Sequence, residues 1–114
     1  MSERIRSFRE FWPYYVGEHL HPLCRRLHFI GTSCALACLA ALALTGRWPL
    51  APLALVSGYG PAWIGHFFVE KNRPATLRYP LWSLLADFRM YGKMWLGAMD
   101  EEVARLHPAA ARAA

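Results

Sequence analysis

Two stretches of this chain carry no Asp, Glu, Lys or Arg: Leu27 to Thr45 and Trp48 to Val69. Each is long enough to cross a bilayer, which takes about 20 residues. A helix in a soluble core usually interrupts its apolar run with charge on the solvent side, so the missing charge argues against a soluble bundle. Cysteine is scarce and odd in number. Cys24, Cys34 and Cys38 support no disulfide framework. Cys34 and Cys38 fall within the first charge-free run and read as small membrane-helix residues. Without sulfur ligands at suitable spacing, a structural zinc site is disfavoured. The N-terminus, Met1-Ser2-Glu3-Arg4-Ile5-Arg6, is followed by aromatics rather than a signal-peptide apolar core, so no cleaved targeting segment is expected. No internal repeat and no nucleic-acid motif is present, and no nucleic-acid partner is expected.

Of the 114 residues, 55% are apolar, above the soluble average of about 45–50%, and the length allows one domain, residues 1–114. The net charge of +5 is unevenly placed. Arg4, Arg6, Arg9, Arg25 and Arg26 precede the first run, and Lys71, Arg73, Arg78, Arg89 and Lys93 follow the second. The link between the runs holds only Arg47. By the positive-inside rule this predicts an integral membrane protein with both termini cytoplasmic. Basic groups at membrane ends also attract anionic lipid headgroups. The fold expected is all-α: a two-span helical hairpin, spans about 27–45 and 48–69, flanked by amphipathic interfacial helices.

Ser7-Phe8-Arg9-Glu10 fits a capping box. Phe8, Phe11, Trp12, Tyr15, Val16 and His19 then follow a 3.6-residue stripe. This predicts an amphipathic helix on the membrane with Trp12, Tyr14 and Tyr15 at headgroup depth; the plainer account of its aromatics is packing. Pro13 sits awkwardly inside this helix and offers an alternative first turn. His21-Pro22 ends it, and a new helix starts near Leu23, rich in small residues that let helices approach closely in lipid. Gly46 suits the end of that helix and Pro49 the first turn of the next. Gly58, Gly60 and Pro61 predict a kink. After Pro80, the stripe Leu81, Leu84, Leu85, Phe88, Tyr91 and Trp95, with Asp87, Arg89 and Lys93 on the other side, predicts a further helix, interfacial or packed under the hairpin, running on toward Leu106. Residues 107–114 read as a frayed tail with His107 at the surface.

The histidines fall at one level. Counted from a turn centre between Gly46 and Arg47, His28 lies 18.5 positions before it and His66 19.5 after. An antiparallel hairpin brings these within about 2 Å in depth at 1.5 Å per residue, beside the interfacial His19. Glu70, four residues after His66, shares its helical face. Ionisable groups inside a membrane are costly and commonly functional. Imidazole with carboxylate suits non-haem iron, zinc accepts the same groups, and two facing histidines could hold haem. Spacing does not choose the set: His21 and His28, seven apart, would share a face on an unbroken helix, and Pro22 breaks it.

Tyr15-x-x-x-His19, the block Pro22-Leu23-Cys24-Arg25-Arg26-Leu27-His28-Phe29-Ile30-Gly31-Thr32 and the block Gly65-His66-Phe67-Phe68-Val69-Glu70-Lys71-Asn72-Arg73-Pro74-Ala75 resemble the 2-hydroxy fatty acid dioxygenase family, typified by a fungal protein for metabolism of phytosphingosine to odd-numbered fatty acids. The resemblance runs from about Phe8 to Trp95. It implies an iron(II)-dependent membrane enzyme of fatty acid α-oxidation, which uses O2 to shorten a 2-hydroxy fatty acid by one carbon. Carried over, it implies metal ligation by His19, His28 and His66, with Glu70 as a further ligand or as the partner orienting His66. Arg25, Arg26 or Arg73 would pair with the substrate carboxylate; contact with lipid headgroups is the plainer role for each. Many relatives have Asn where Cys24 stands, and fungal members carry a further pair of membrane segments. A short form of this kind builds its acyl pocket by self-association as a homo-oligomer, or uses another substrate. The bacterial inner membrane is its expected location. Two other functions stand beside this one: a non-catalytic membrane hairpin scaffolding lipid or a partner protein, and a haem-binding membrane protein.

Overall fold

The structure, a computed structural model, describes residues 4–113. Met1–Glu3, where the N-terminal reading begins, and Ala114, the last position of the expected tail, lie outside the described residues. Every regular element among the described residues is helical: α1 (Phe8–Gly17), α2 (Pro22–Thr45), α3 (Leu50–Ile64), a π-helical turn (Gly65–Glu70), a 3-10 turn (Ala75–Leu77), α4 (Pro80–Trp95), α5 (Met99–Leu106) and α6 (Pro108–Ala113). They pack as two compact units, one of residues 21–72 and one of residues up to 20 together with 73 onward.

The first of these is a helical hairpin. Pro22 occupies the first turn of α2, where its missing N–H is no loss. The ring of His21 caps that turn, its Nδ1 accepting from the Leu23 N–H at 3.0 Å. Gly46 ends the helix in the left-handed region, φ +69°, and its N–H reaches Leu42 O at 2.7 Å. α3 then returns against α2. Glycines allow the close approach. A Cβ on Gly31 would meet Ser57 O at 2.7 Å, and one on Gly65 would meet Cys24 Sγ at 2.9 Å. The large side chains turn outward: Ile30, Leu39, Leu44, Trp48, Leu55, Val56 and Phe68 are all exposed.

Among the described residues one helix, α2, is long and apolar enough to cross a membrane: 24 residues, mean hydropathy 2.0 over its most apolar stretch, with 11% of that stretch buried. A soluble core helix would be mostly buried. The second run takes a different form from the single span expected over 48–69. α3 has 15 residues, about 22 Å at 1.5 Å each, short of the roughly 30 Å hydrocarbon thickness. The chain continues as the π turn. α3 runs on as a helix across Gly58–Pro61, and its departure from α geometry begins only at Gly65.

The other unit has a conventional core. Ser7 caps α1, its hydroxyl accepting from the Glu10 N–H at 3.2 Å, and Pro13 lies within the helix rather than at its start. Phe11, Trp12, Tyr15 and Val16 pack with Ala75, Tyr79, Ala86, Met90, Met99 and Val103. Trp12 is 4% and Tyr15 0% exposed, so packing accounts for both. The Trp12 indole N–H donates to Glu102 Oε2 at 2.8 Å. Around that buried carboxylate stand Arg105 at 2.7 Å, Lys93 at 3.5 Å and Arg89 at 4.0 Å.

α4 presents its two sides opposite to the usual order. Ser83, Ala86 and Met90 face inward, and Arg89 and Lys93 reach Glu102. Leu81, Leu84, Leu85, Phe88 and Trp95 are exposed. The helix stops at Trp95, and Gly97 at φ +69° separates it from α5, so the expected continuous helix to Leu106 is two. His107 is half-buried instead of lying on the surface, its Nε2–H donating to Pro13 O at 2.9 Å. Residues 108–113 form α6 where a frayed tail was expected.

Candidate metal centre

His28 sits on the second turn of α2, four residues after Cys24. It is buried, and its Nδ1 lies 2.8 Å from Cys24 O. His66 is the second residue of the π turn, is also buried, and its Nδ1 lies 2.7 Å from Asn72 Oδ1. The two rings meet edge to face, centroids 5.0 Å apart with an interplanar angle of 90°. The equal depth expected from counting along the hairpin thus becomes side-chain contact.

The π turn makes the His66–Asn72 pairing. A widened turn takes more residues than an α turn and occurs often at functional sites. Lys71 then reverses the chain at φ 59°. The N–H groups of Lys71 and Asn72 both reach His66 O, the latter at 2.9 Å. Asn72 therefore holds His66 by main chain and side chain at once.

His19 follows α1 in the other unit and is 1% exposed. Its Nδ1 lies 2.7 Å from Tyr15 O, and its ring stacks on Tyr15 with centroids 4.0 Å apart. The Tyr15 hydroxyl bonds to Asp87 Oδ1 at 2.5 Å. Burial pushes the Asp87 carboxyl up to about 7, against the opposing pull of that hydrogen bond.

All three histidines share one chemical arrangement. Each Nδ1 faces an amide or peptide oxygen, which can only accept, so each Nδ1 carries the proton. In a neutral imidazole that leaves the lone pair on Nε2, the arrangement found in metal-ligating histidines. His19, His28 and His66 are buried, and together they could bind a metal ion. Three neutral imidazoles suit iron, zinc, copper or nickel, and the donor set alone does not choose among them.

The remaining candidates are placed differently. His21 is exposed and spends its ring on the α2 cap. Glu70 Oε1 accepts from the His21 N–H at 2.5 Å, and Asn72 Oδ1 lies against the His66 Nδ1. Arg25 is buried, whereas Arg26 and Arg73 are exposed. The sequence did not mark Asn72, Tyr15 or the Cys24 carbonyl as hydrogen-bond partners of the histidines. The last two lie four residues before a histidine and are found by asking what each Nδ1 can reach on a helix. Asn72, six residues after His66, matches no regular helical spacing.

The family model described as 2-hydroxy-palmitic acid dioxygenase Mpo1-like matches residues 5–99 of the chain, a range that holds His19, His28, His66 and Asn72. No curated protein and no solved structure matches it.

Proposed function

The chain belongs to the 2-hydroxy-palmitic acid dioxygenase Mpo1-like family, and on that premise we propose that it is an iron(II)-dependent membrane enzyme that shortens a 2-hydroxy fatty acid by one carbon. A 2-hydroxy acid and one O2 balance to the acid one carbon shorter, carbon dioxide and water. The reaction therefore needs no outside reductant.

The observation that carries this reading is the uniform state of three buried histidines, each with Nδ1 committed to an oxygen acceptor. In the proposal His19, His28 and His66 hold the metal. Iron(II), when bound, supplies the redox chemistry that lets O2 react with a closed-shell hydroxy acid. Chain length supports the inclusion of His19. It stands two residues before His21, at most about 7 Å along an extended backbone, and the His21 amide is tied to Glu70, four residues after His66. Glu70 then acts by anchoring that junction. Arg26 and Arg73, both exposed, attract the substrate carboxylate or anionic headgroups, and buried Arg25 supplies a further positive charge. The acyl chain lies along the exposed apolar side chains of the hairpin. α2 and the α3–π run cross the bilayer, with both termini cytoplasmic. The exposed leucines of α4 lie in the membrane interface, and the whole chain works as one membrane-embedded domain.

The test is purification in detergent, elemental analysis, an absorbance spectrum, then anaerobic iron loading and addition of 2-hydroxypalmitate with O2. A fifteen-carbon acid detected by mass spectrometry supports the proposal. Absence of any shortened product from acids of several lengths overturns the activity. A Soret band would mark haem instead, and absence of any bound metal would leave the scaffolding function.

A further inference from the structure

The oxygens that face the Nδ1 atoms of the three histidines are uncharged. They are Tyr15 O, Cys24 O and Asn72 Oδ1. Two belong to the main chain, so no substitution can change them. The third is a side chain, and it is an amide where metal-bound histidines often have a carboxylate. Among the described residues, the group suited to a metal also contains no Asp or Glu. Glu70, the nearest carboxylate in sequence, is occupied at the His21 amide.

We propose that Asn72 is a positioning residue for His66, and that its amide keeps the centre cationic so that a bound divalent ion takes up an anionic ligand. This rests on the metal-site reading above. The amide oxygen fixes which ring nitrogen carries the proton. The two main-chain bonds onto His66 O help place that amide. A carboxylate at the same position would fix the same tautomer. It would also make the imidazole more basic and offset the charge of the ion. Position 72 thus sets two properties that can be separated: retention of the metal, which needs an acceptor of either kind, and affinity for an anion, which needs the acceptor to be neutral.

Cobalt(II) titration of the detergent-purified full-length protein, followed by its visible absorption, reads the first property. Titration of the cobalt form with glycolate, a soluble 2-hydroxy acid, reads the second. Asn72→Ala is expected to weaken cobalt binding about 10–100-fold, the usual cost of losing such a partner, with unchanged helical circular dichroism. Asn72→Asp is expected to bind cobalt at least as tightly as the native protein and glycolate at least about 10-fold more weakly. Should Asn72→Ala not fold, the isosteric Asn72→Asp carries the test. The proposal is overturned if Asn72→Ala holds cobalt like the native chain, if Asn72→Asp loses cobalt, or if Asn72→Asp leaves glycolate affinity unchanged. Failure of the native protein itself to bind cobalt removes the metal-site reading along with it. Native binding with indifferent variants sinks only the role of Asn72.

Discussion

The two units solve burial in opposite ways. The unit containing α1, α4 and α5 puts Phe11, Trp12, Tyr15 and Met90 inside and meets the buried acid Glu102 with an indole and three basic side chains. The hairpin unit buries small residues and histidines, Cys24, Ala54, Ala62, His28 and His66, and leaves many of its large apolar side chains, Ile30, Leu39, Leu44, Leu55 and Phe68 among them, outside. In water the second arrangement would waste most of its apolar surface, since the hydrophobic effect rewards only what is removed from solvent. In lipid it loses nothing, because helices there associate through close packing of small residues. The difference teaches that the hairpin's cohesion comes from backbone proximity, and that its interior is left available for imidazole.

The comparison breaks most sharply at the histidines. His28→Ala or His66→Ala should abolish stoichiometric metal binding, a loss beyond the ~10–100-fold expected from an outer partner. Elemental analysis with circular dichroism checks it; metal retained at the native level would mean that the rings merely pack. In the other unit, Glu102→Ala should lower stability by about 1–3 kcal/mol, the cost of leaving a buried donor without its acceptor. It should do so without touching metal content, as read by thermal unfolding and elemental analysis together.

Gly31→Ala should cost about 1–3 kcal/mol through overpacking, because the added methyl would stand against main-chain oxygen. Serine should fare no better, and a neutral result would show that the hairpin is looser than its glycines suggest. The smallest effect concerns pH. Asp87 titrates near 7 in the folded chain against an ordinary 3.8. Between those values the folded state binds the extra proton, so stability falls as pH rises from about 4 to about 7. Glu102 works the other way. Burial would raise it, but the Trp12 indole, Arg105 and Lys93 together hold it below the ordinary carboxylate range. Its contribution is present above the ordinary value and is lost as pH falls through the folded one. Asp87→Asn should therefore flatten the profile between pH 4 and 7 and leave the acid limb intact.

Much of the hairpin could be read directly from residue order. Two charge-free runs, Gly46 between them and a count outward from the turn were enough to bring His28 and His66 to one level. The stripe on α4 was legible only as a pattern. Period tells that Leu81, Leu84, Leu85 and Phe88 share a face. It does not tell whether that face meets a core or lipid, since both are apolar. The same ambiguity left Trp12 and Tyr15 open to two accounts, headgroup depth or packing, and they belong to a core. Asn72 was hidden for a different reason: a contact six residues away requires both a widened turn and a left-handed Lys71, and neither has a sequence signature of its own.

The widened turn at Gly65–Glu70 also sets a limit on length. A π turn holds one residue more than an α turn, so a single deletion there would let the ladder tighten to α geometry and remove the six-residue reach from His66 to position 72. The amide at position 72 would then point away from its imidazole. A conservative point change in this segment is therefore a gentler perturbation than a one-residue deletion, even of an exposed phenylalanine such as Phe68.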